Sequence, residues 1–394
     1  MKRILFMHHV SVVGGASYCL LNIVKALDRT KWEPLVALKS YGPLVEELNK
    51  INVSIVFFPH MESIPYNKSL FKRESIYSYF LSINSGRKFN HLLHDYEIDV
   101  VYLNNMMLYP YLRPAKEYGC KTVLHVREHW PLNEHRVQLY WAKRNVFKYA
   151  DCLIAINEYS ASIFPNKKSI IVYDWIDMSE RLKHINMNDL FGEDCSNKTV
   201  LLYNGGLQMI KGPNYIVKAF SEKITGDKYR LLIMGVDHIK PLSGWRNAIK
   251  KLLIPLGYKF AYKEMIDTIM NDDRIKCVPA EYEMTDYYLK SSCYVSYFSI
   301  PHANLSMAES LCLKTPCIVA DNEEAREYSN NGEYAMLVEP NNYDVFSKRL
   351  QSFIQELGHW KKRAIIGSEI INEKFNKQLN ISKLRNALNS LYNA

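Results

Sequence analysis

The sequence predicts an α/β chain built from two doubly wound domains. Length and composition are the first observation: 394 residues, 48% apolar and 23% charged, fill two cores at roughly 100–200 residues each and exclude a disordered chain. The second is a repeated alternation of short Val-, Ile- and Leu-rich runs with helix-like stretches, as expected of strands buried on both faces of a parallel sheet. The third is that this alternation stops at a polar stretch and then restarts.

In chain order, Ile4–Met7, Leu35–Leu38, Val53–Phe58, Val100–Leu103, Thr122–Val126, Cys152–Ile156 and Ile170–Tyr173 read as strands of the first domain. Tyr18–Leu27 and Leu44–Lys50 read as helices between them. From about Met178 to Asn197 the chain carries turn-forming composition, Asn186-Met187-Asn188-Asp189 and Gly192-Glu193-Asp194. The expected organisation is therefore a first domain at 1–177, a connection at 178–197 and a second domain at 198–375. Val200–Tyr203, Leu231–Met234, Ile275–Val278, Tyr294–Phe298, Cys317–Ala320 and Ala335–Val338 read as its strands. From Tyr343 onward the period is helical. Ile381, Leu384, Leu388 and Leu391 form one apolar stripe, so 376–394 is set apart as a C-terminal helix free to return to the first domain.

The formal net charge of +9 is spread over both halves, with no basic block interleaved with stacking aromatics. That excludes a dedicated nucleic-acid groove and suits anionic small substrates or an anionic membrane surface. The eight cysteines are scattered without a C-x-x-C pair, which points to a reducing cytoplasm. Met1-Lys2-Arg3 imitates a signal peptide, but His8-His9 interrupt the apolar run that follows. No apolar stretch approaches the ~18–20 residues of a membrane-spanning helix. Any membrane contact is expected to be peripheral, at the inner face of the cell membrane. Trp245–Pro255, Tyr258–Lys263 and Ser69–Lys88 are basic and amphipathic enough for it, with solvated helix faces as the alternative.

Ligands of doubly wound sheets bind at the carboxyl ends of the strands, so the loops there hold the candidate residues. Gly14 and Gly15 leave the first strand and precede a helix, where backbone amides could approach an anion; a plain turn is the alternative. Tyr203 to Pro213 leaves a strand, passes Gly205 and Gly206, and starts a helix with Pro213, putting Lys211 beside free helix amides. Pro301 to Leu311 opens a helix for which Asn304 is a plausible cap. There the amides of Leu305 and Ser306 could hold a phosphate, and Glu309, just over one turn in, could accept hydrogen bonds from vicinal hydroxyls. His125-Val126-Arg127-Glu128-His129 matches a zinc-protease pattern, but Thr122–Val126 reads as a strand and a helix is needed for that chemistry. His125 could instead line a polar cleft with Arg127 near a bound anion, or be a core histidine.

Taken in order, the Gly-Gly loop, the strand-end histidine, the Gly-rich turn with Lys211-Gly212, and the Leu305–Glu309 helix resemble the family 4 glycosyltransferases of the GT-B fold. Further matches are Gly42-Pro43-Leu44, Tyr173-Asp174-Trp175-Ile176-Asp177 and Leu337-Val338-Glu339-Pro340. The resemblance implies two Rossmann-like domains facing across a cleft, and a retaining, metal-independent transfer without a cofactor. A nucleotide diphosphate sugar would donate to a glycan or lipid-linked acceptor, in cell-surface polysaccharide or glycolipid synthesis. Carried over, Glu309 binds the donor ribose, Leu305 and Ser306 the diphosphate, Lys211 the same leaving group, His125 the transferred sugar, and Gly14-Gly15 the diphosphate or the acceptor. Two positions depart from the pattern: Gly206 stands where the family commonly has arginine, and Pro301 replaces the first glutamate of its E-x7-E pair. A catalytically silent nucleotide-sugar binding protein and a nucleotide-sugar epimerase on the same fold are the alternatives.

Overall fold

The computed structural model describes residues 1–12, 14–64, 73–128, 130, 136–176, 183–236, 256–281 and 283–392. Trp245–Pro255, among the membrane-contact candidates, lies outside these residues, as do the first part of Ser69–Lys88 and His129. The chain divides into two units, residues 1–175 with 375–394, and residues 176–374.

The first unit holds seven strands: β1 (Lys2–His8), β2 (Trp32–Leu38), β3 (Ser54–Phe57), β4 (Val100–Leu103), β5 (Lys121–Val126), β6 (Cys152–Ala155) and β7 (Ser169–Ile171). They form one parallel sheet in the order β3-β2-β1-β4-β5-β6-β7. Alternation along β1 divides the apolar side chains between the two faces. Leu5 and Met7 join the core beneath the Arg73–Asp95, Leu112–Tyr118 and Arg136–Tyr149 helices, while Ile4 and Phe6 join the opposite core. That second core contains Leu384, Ala387, Leu388 and Leu391 from the Lys377–Ser390 helix, so the end of the chain is an integral part of the first unit. Asn380 Oδ1 accepts from the Tyr173 amide at 3.0 Å, and Arg385 Nε donates to the Ala26 carbonyl at 2.8 Å.

The second unit holds β8 (Thr199–Asn204), β9 (Tyr229–Met234), β10 (Ile275–Val278), β11 (Cys293–Val295), β12 (Cys317–Ala320) and β13 (Met336–Val338), all parallel, in the order β10-β9-β8-β11-β12-β13. Asparagine starts several of its helices: Asn304, Asn322 and Asn342 each accept a hydrogen bond from the amide three residues on. Residues 183–197, read in the sequence as an inter-domain connection, fold onto this unit instead. The Ile185 amide donates to Asp286, Met187 and Cys195 are buried, and Glu193 is ion-paired with Arg230. The strand expected over Tyr294–Phe298 stops at Val295 because the chain turns there to lay the Tyr297 carbonyl against Gly212.

Strand order reverses between β1 and β4 in one sheet and between β8 and β11 in the other. At such a switch point, successive connections leave in opposite directions and open a crevice at the carboxyl ends. The loops beginning at His8, Asn104, Gly205 and Ser296 border these two crevices, and they contain most of the candidate residues.

Candidate active site

In the second unit the loop after β8 is locked against the loop after β11. Gly212 has φ +75°, and a Cβ there would sit 1.8 Å from the Tyr297 carbonyl oxygen, so only glycine permits this contact. Nearby, the Ser299 amide donates to the Ile210 carbonyl at 3.0 Å. Gly206 is also in the left-handed region, at φ +59°, with a would-be Cβ 2.8 Å from the Gly235 carbonyl. An arginine at this position would strain the turn, which is a physical reason for the departure seen in the sequence. Gly205 is buried beside it.

Lys211 ends this loop. It is half-buried, and among the described residues no carboxylate pairs with it, so burial holds its ammonium below the usual lysine range. The Pro213–Lys223 helix starts immediately after it, with Gly212 offering no side-chain cap. Pro213 has no N–H, and the Gly212 and Tyr215 amides donate to the Met209 and Gly212 carbonyls, so Lys211 shares the positive end of this helix with the Asn214 amide, a combination suited to an anion.

Asn304 is a structural cap in this site. Its Oδ1 accepts from the Met307 amide at 3.1 Å and from the Tyr294 hydroxyl at 3.3 Å, and its Nδ2 donates to Ser296 Oγ at 2.7 Å. This fixes the start of the Leu305–Cys312 helix, whose Leu305 and Ser306 are half-buried at the strand end. Asn204, the last residue of β8, donates to Ser306 Oγ at 3.3 Å and joins the two loops again. Glu309 is four residues past Leu305 and three past Ser306, hence on their face of the helix. It is buried, and its Oε2 accepts from the Tyr288 hydroxyl at 2.8 Å. Pro301 lies exposed on the connecting loop.

In the first unit Gly14 and Gly15 are exposed, with nothing within 4 Å of a Cβ at either, and Gly14 starts the Gly15–Lys25 helix without a side-chain cap. Behind this loop runs a buried polar chain. Asn104 Nδ2 donates to His8 Nδ1 at 3.1 Å, which fixes the His8 proton on Nε2; that atom meets Ser17 Oγ at 3.1 Å, and Ser17 donates to the Val12 carbonyl at 2.7 Å. Burial, with smaller contributions from His9 and Arg127, keeps the His8 ring neutral.

Arg127, just past the end of β5, is committed to the protein. One guanidinium nitrogen reaches both oxygens of Asp174, at 2.8 and 2.7 Å, and Nε donates to Asn104 Oδ1 at 3.1 Å. Burial is the largest single influence and opposes its charge, but the Asp174 carboxylate, together with smaller contributions from Cys19 and Tyr102, raises the guanidinium above its usual range. The expectation of a cation free to meet a bound anion is therefore corrected: Arg127 is neutralised by a partly buried carboxylate.

His125 lies inside β5 with almost no exposure. Its Nδ1 accepts from the Tyr102 hydroxyl at 2.7 Å and faces an Arg127 donor at 3.4 Å, so the proton of the neutral ring is on Nε2. Nε2 is buried and has no protein partner among the described residues. Burial first, and Arg127 second, push its pKa well below the usual histidine value. A buried donor without an acceptor is costly, and a hydroxyl supplied by a ligand would relieve it.

The sequence reading missed Asp174, Asn104, His8 and Glu128. Glu128 is buried after β5, accepting from the Met106 amide at 2.9 Å and the Arg127 amide at 3.3 Å; burial outweighs these bonds and lifts its carboxyl to about 7. Tyr173-Asp174 and His8-His9 were visible as motifs, but their partners lie far away in sequence. Among the described residues no three His, Cys, Asp or Glu side chains gather as a metal site.

The profile of the glycosyl transferases group 1 matches residues 193–372, and that of the glycosyl transferase 4-like domain matches residues 14–168. The chain belongs to this glycosyltransferase family. It is therefore an enzyme of sugar transfer, and its two units are the two halves of a GT-B fold. Solved structures agree on the fold. Anabaena HepE in complex with UDP and glucose superimposes with a TM-score of 0.74 at 16% identity, covering 99% of this chain and 100% of that one. A glycosyltransferase from Rickettsia africae gives 0.72 at 17% identity over 100% and 99% of the two chains. Sucrose-phosphate synthase from Thermosynechococcus elongatus gives 0.71 at 13% identity over the whole of both. No curated protein matches the sequence. In this transferase the group 1 match covers the Lys211 and Glu309 loops, and the 4-like match covers Gly14 to Arg127.

Proposed function

We propose that the transferase moves a sugar from a nucleoside diphosphate donor to a glycan or lipid-linked acceptor, with retention of anomeric configuration and without a metal ion. Sugar transfer breaks the bond between the anomeric carbon and the diphosphate oxygen and joins that carbon to an acceptor hydroxyl. The hydroxyl proton leaves with the nucleoside diphosphate. Lys211 is the observation that carries this reading: a half-buried lysine that no carboxylate among the described residues pairs with, at the positive end of a helix, is a place where an added diphosphate recovers the cost of burying the cation.

Lys211 and the amides of Leu305 and Ser306 stabilise the negative charge that grows on the leaving diphosphate, as a metal would elsewhere. Glu309 accepts from the ribose hydroxyls, and Asn304 and Gly212 hold the two loops in register. Gly205 and Gly206 let backbone approach the donor. In the first unit, Nε2–H of His125 donates to a hydroxyl of the transferred sugar, and Gly14 and Gly15 leave room for diphosphate or acceptor. The similar Anabaena HepE has been solved in complex with UDP and with UDP-glucose, which makes a uridine nucleotide sugar the first donor to test. The scattered cysteines support a reaction in the cytoplasm, serving cell-surface polysaccharide or glycolipid synthesis. Among the described residues no helix is long and apolar enough to cross a membrane.

A screen of nucleotide sugars for thermal stabilisation, followed by nucleoside diphosphate release with candidate acceptors in excess EDTA, tests the reading. Release that depends on acceptor and survives chelation is the expected result. Binding without turnover would make the chain a silent binder, conversion of the donor without acceptor would make it an epimerase, and activity lost to EDTA and restored by Mg²⁺ would end the metal-free mechanism.

A further inference from the structure

The Arg136–Tyr149 helix of the first unit is amphipathic in the usual direction on one side only. Its inner stripe, Leu139, Ala142 and Val146, is buried in the sheet core. The outer stripe should then be polar, as on the Pro43–Lys50 helix, which turns Glu46, Asn49 and Lys50 to water. Here it is not. Val137, Tyr140, Trp141 and Phe147 face outward with 49%, 59%, 42% and 41% of their surface exposed. At helical spacing they fall on one side of the helix with Arg144 and Lys148 among them.

The charge on this helix is as one-sided as its aromatic content. Arg136, Lys143, Arg144 and Lys148 supply cations, and no carboxylate occurs between Arg136 and Tyr149. The Arg144 guanidinium lies over the Trp141 ring at 5.5 Å from its centre, and the rings of Tyr140 and Trp141 meet edge to face at 5.8 Å. Tryptophan and tyrosine beside lysine and arginine are the side chains that partition at the headgroup boundary, where a ring is half-immersed and a cation meets lipid phosphate. A helix packed on a core by one face, with rings and cations exposed together on the other, has the composition of an interfacial helix.

We propose that this outer face is a docking surface for an anionic bilayer, seating the first unit on the membrane with Tyr140 and Trp141 at headgroup depth and Arg144 and Lys148 on lipid phosphates. The inference deepens the reading of a lipid-linked acceptor and rests on it for its purpose, although membrane docking itself can be measured without turnover. It places the contact on a helix other than the three segments singled out from the sequence.

Co-sedimentation of the full chain with vesicles of phosphatidylcholine alone, and of phosphatidylcholine mixed equally with phosphatidylglycerol, provides the test. Binding to the mixed vesicles that falls with added salt is expected, with weak or no binding to phosphatidylcholine. Arg144→Glu/Lys148→Glu should weaken it by more than about tenfold, since each cation near an anionic surface contributes roughly fivefold in affinity. Tyr140→Ser/Trp141→Ser should weaken it comparably, and both exposed pairs should leave the thermal midpoint and nucleoside diphosphate binding unchanged. Failure of the wild type to bind mixed vesicles, or binding by both variants as tight as the wild type's, would overturn the proposal. So would a wild-type dimer that either variant converts to monomer without any vesicle binding, because the face would then belong to a second copy. Vesicle binding in a chain that binds no nucleoside diphosphate would instead remove the donor assignment and leave the docking surface standing.

Discussion

At the scale of single residues, the structure separates cations that are spent from one that is not. Arg127 is held by Asp174, whereas Lys211 is desolvated without a partner among the described residues. Lys211→Ala should therefore lower turnover more than donor affinity, by about 10²-fold if the site excludes water. Because burial depresses the Lys211 pKa, its charge is lost at a lower pH than an ordinary lysine's, and a bound diphosphate restores it. Donor affinity measured by calorimetry should fall as pH rises into the alkaline range in wild type and stay flat in Lys211→Ala. Glu309 needs a gentler substitution than alanine, which would strand the Tyr288 hydroxyl. Glu309→Gln keeps that acceptor and should cost nucleotide binding ~1.5–3 kcal/mol, the range for a charge-assisted hydrogen bond. Glu128 gives a stability prediction. Its folded value of about 7 stands above the ordinary 4.5, so the folded state holds this proton more tightly than the unfolded one. Its contribution is complete at acid pH and is lost as pH rises from the unfolded value through about 7, by up to about 3 kcal/mol. Chemical denaturation at several pH values should show that slope in wild type and a flatter one in Glu128→Gln.

At the scale of elements, the site depends on loops pinned at strand ends. Gly212→Ala would force both a strained φ and a backbone clash with Tyr297, so it should destabilise the second unit by more than about 1–3 kcal/mol. Gly14→Ala meets no neighbour and keeps an extended φ, and should cost under about 1 kcal/mol of stability while reducing turnover. Thermal unfolding and initial rates on the same two variants check both statements. The strands and the loops that follow them were legible in the sequence because buried parallel strands are written as short continuous apolar runs. Caps such as Asn304 were legible for a related reason, since the hydrogen bond that starts a helix is local. What was not legible is side-chain pairing across the sheet. Asp174 follows β7 and reaches Arg127 after β5, and Asn104 reaches back to His8 at the end of β1, so each pair depends on strand order and not on spacing.

At the scale of the molecule, two parallel sheets each supply one switch point, and the chain's last helix closes the core of the first unit. Polar composition made residues 183–197 look like a connection because their hydrogen-bond partners, Asp286 and Arg230, are distant in sequence. The apolar stripe of the last helix was readable, and the core it fills is the face of β1 that carries Ile4 and Phe6. Leu384→Ala and Leu388→Ala should each cost ~2–5 kcal/mol, read as loss of the first unit's unfolding transition. The most direct measurement is nucleoside diphosphate release by wild type and Lys211→Ala, with donor and acceptor, in excess EDTA, alongside donor affinity for both. A metal-free transfer driven by Lys211 and helix amides predicts wild-type turnover that survives EDTA and a Lys211→Ala rate lower by about 10²-fold with donor affinity changed far less. A Lys211→Ala enzyme that turns over at the wild-type rate would contradict it.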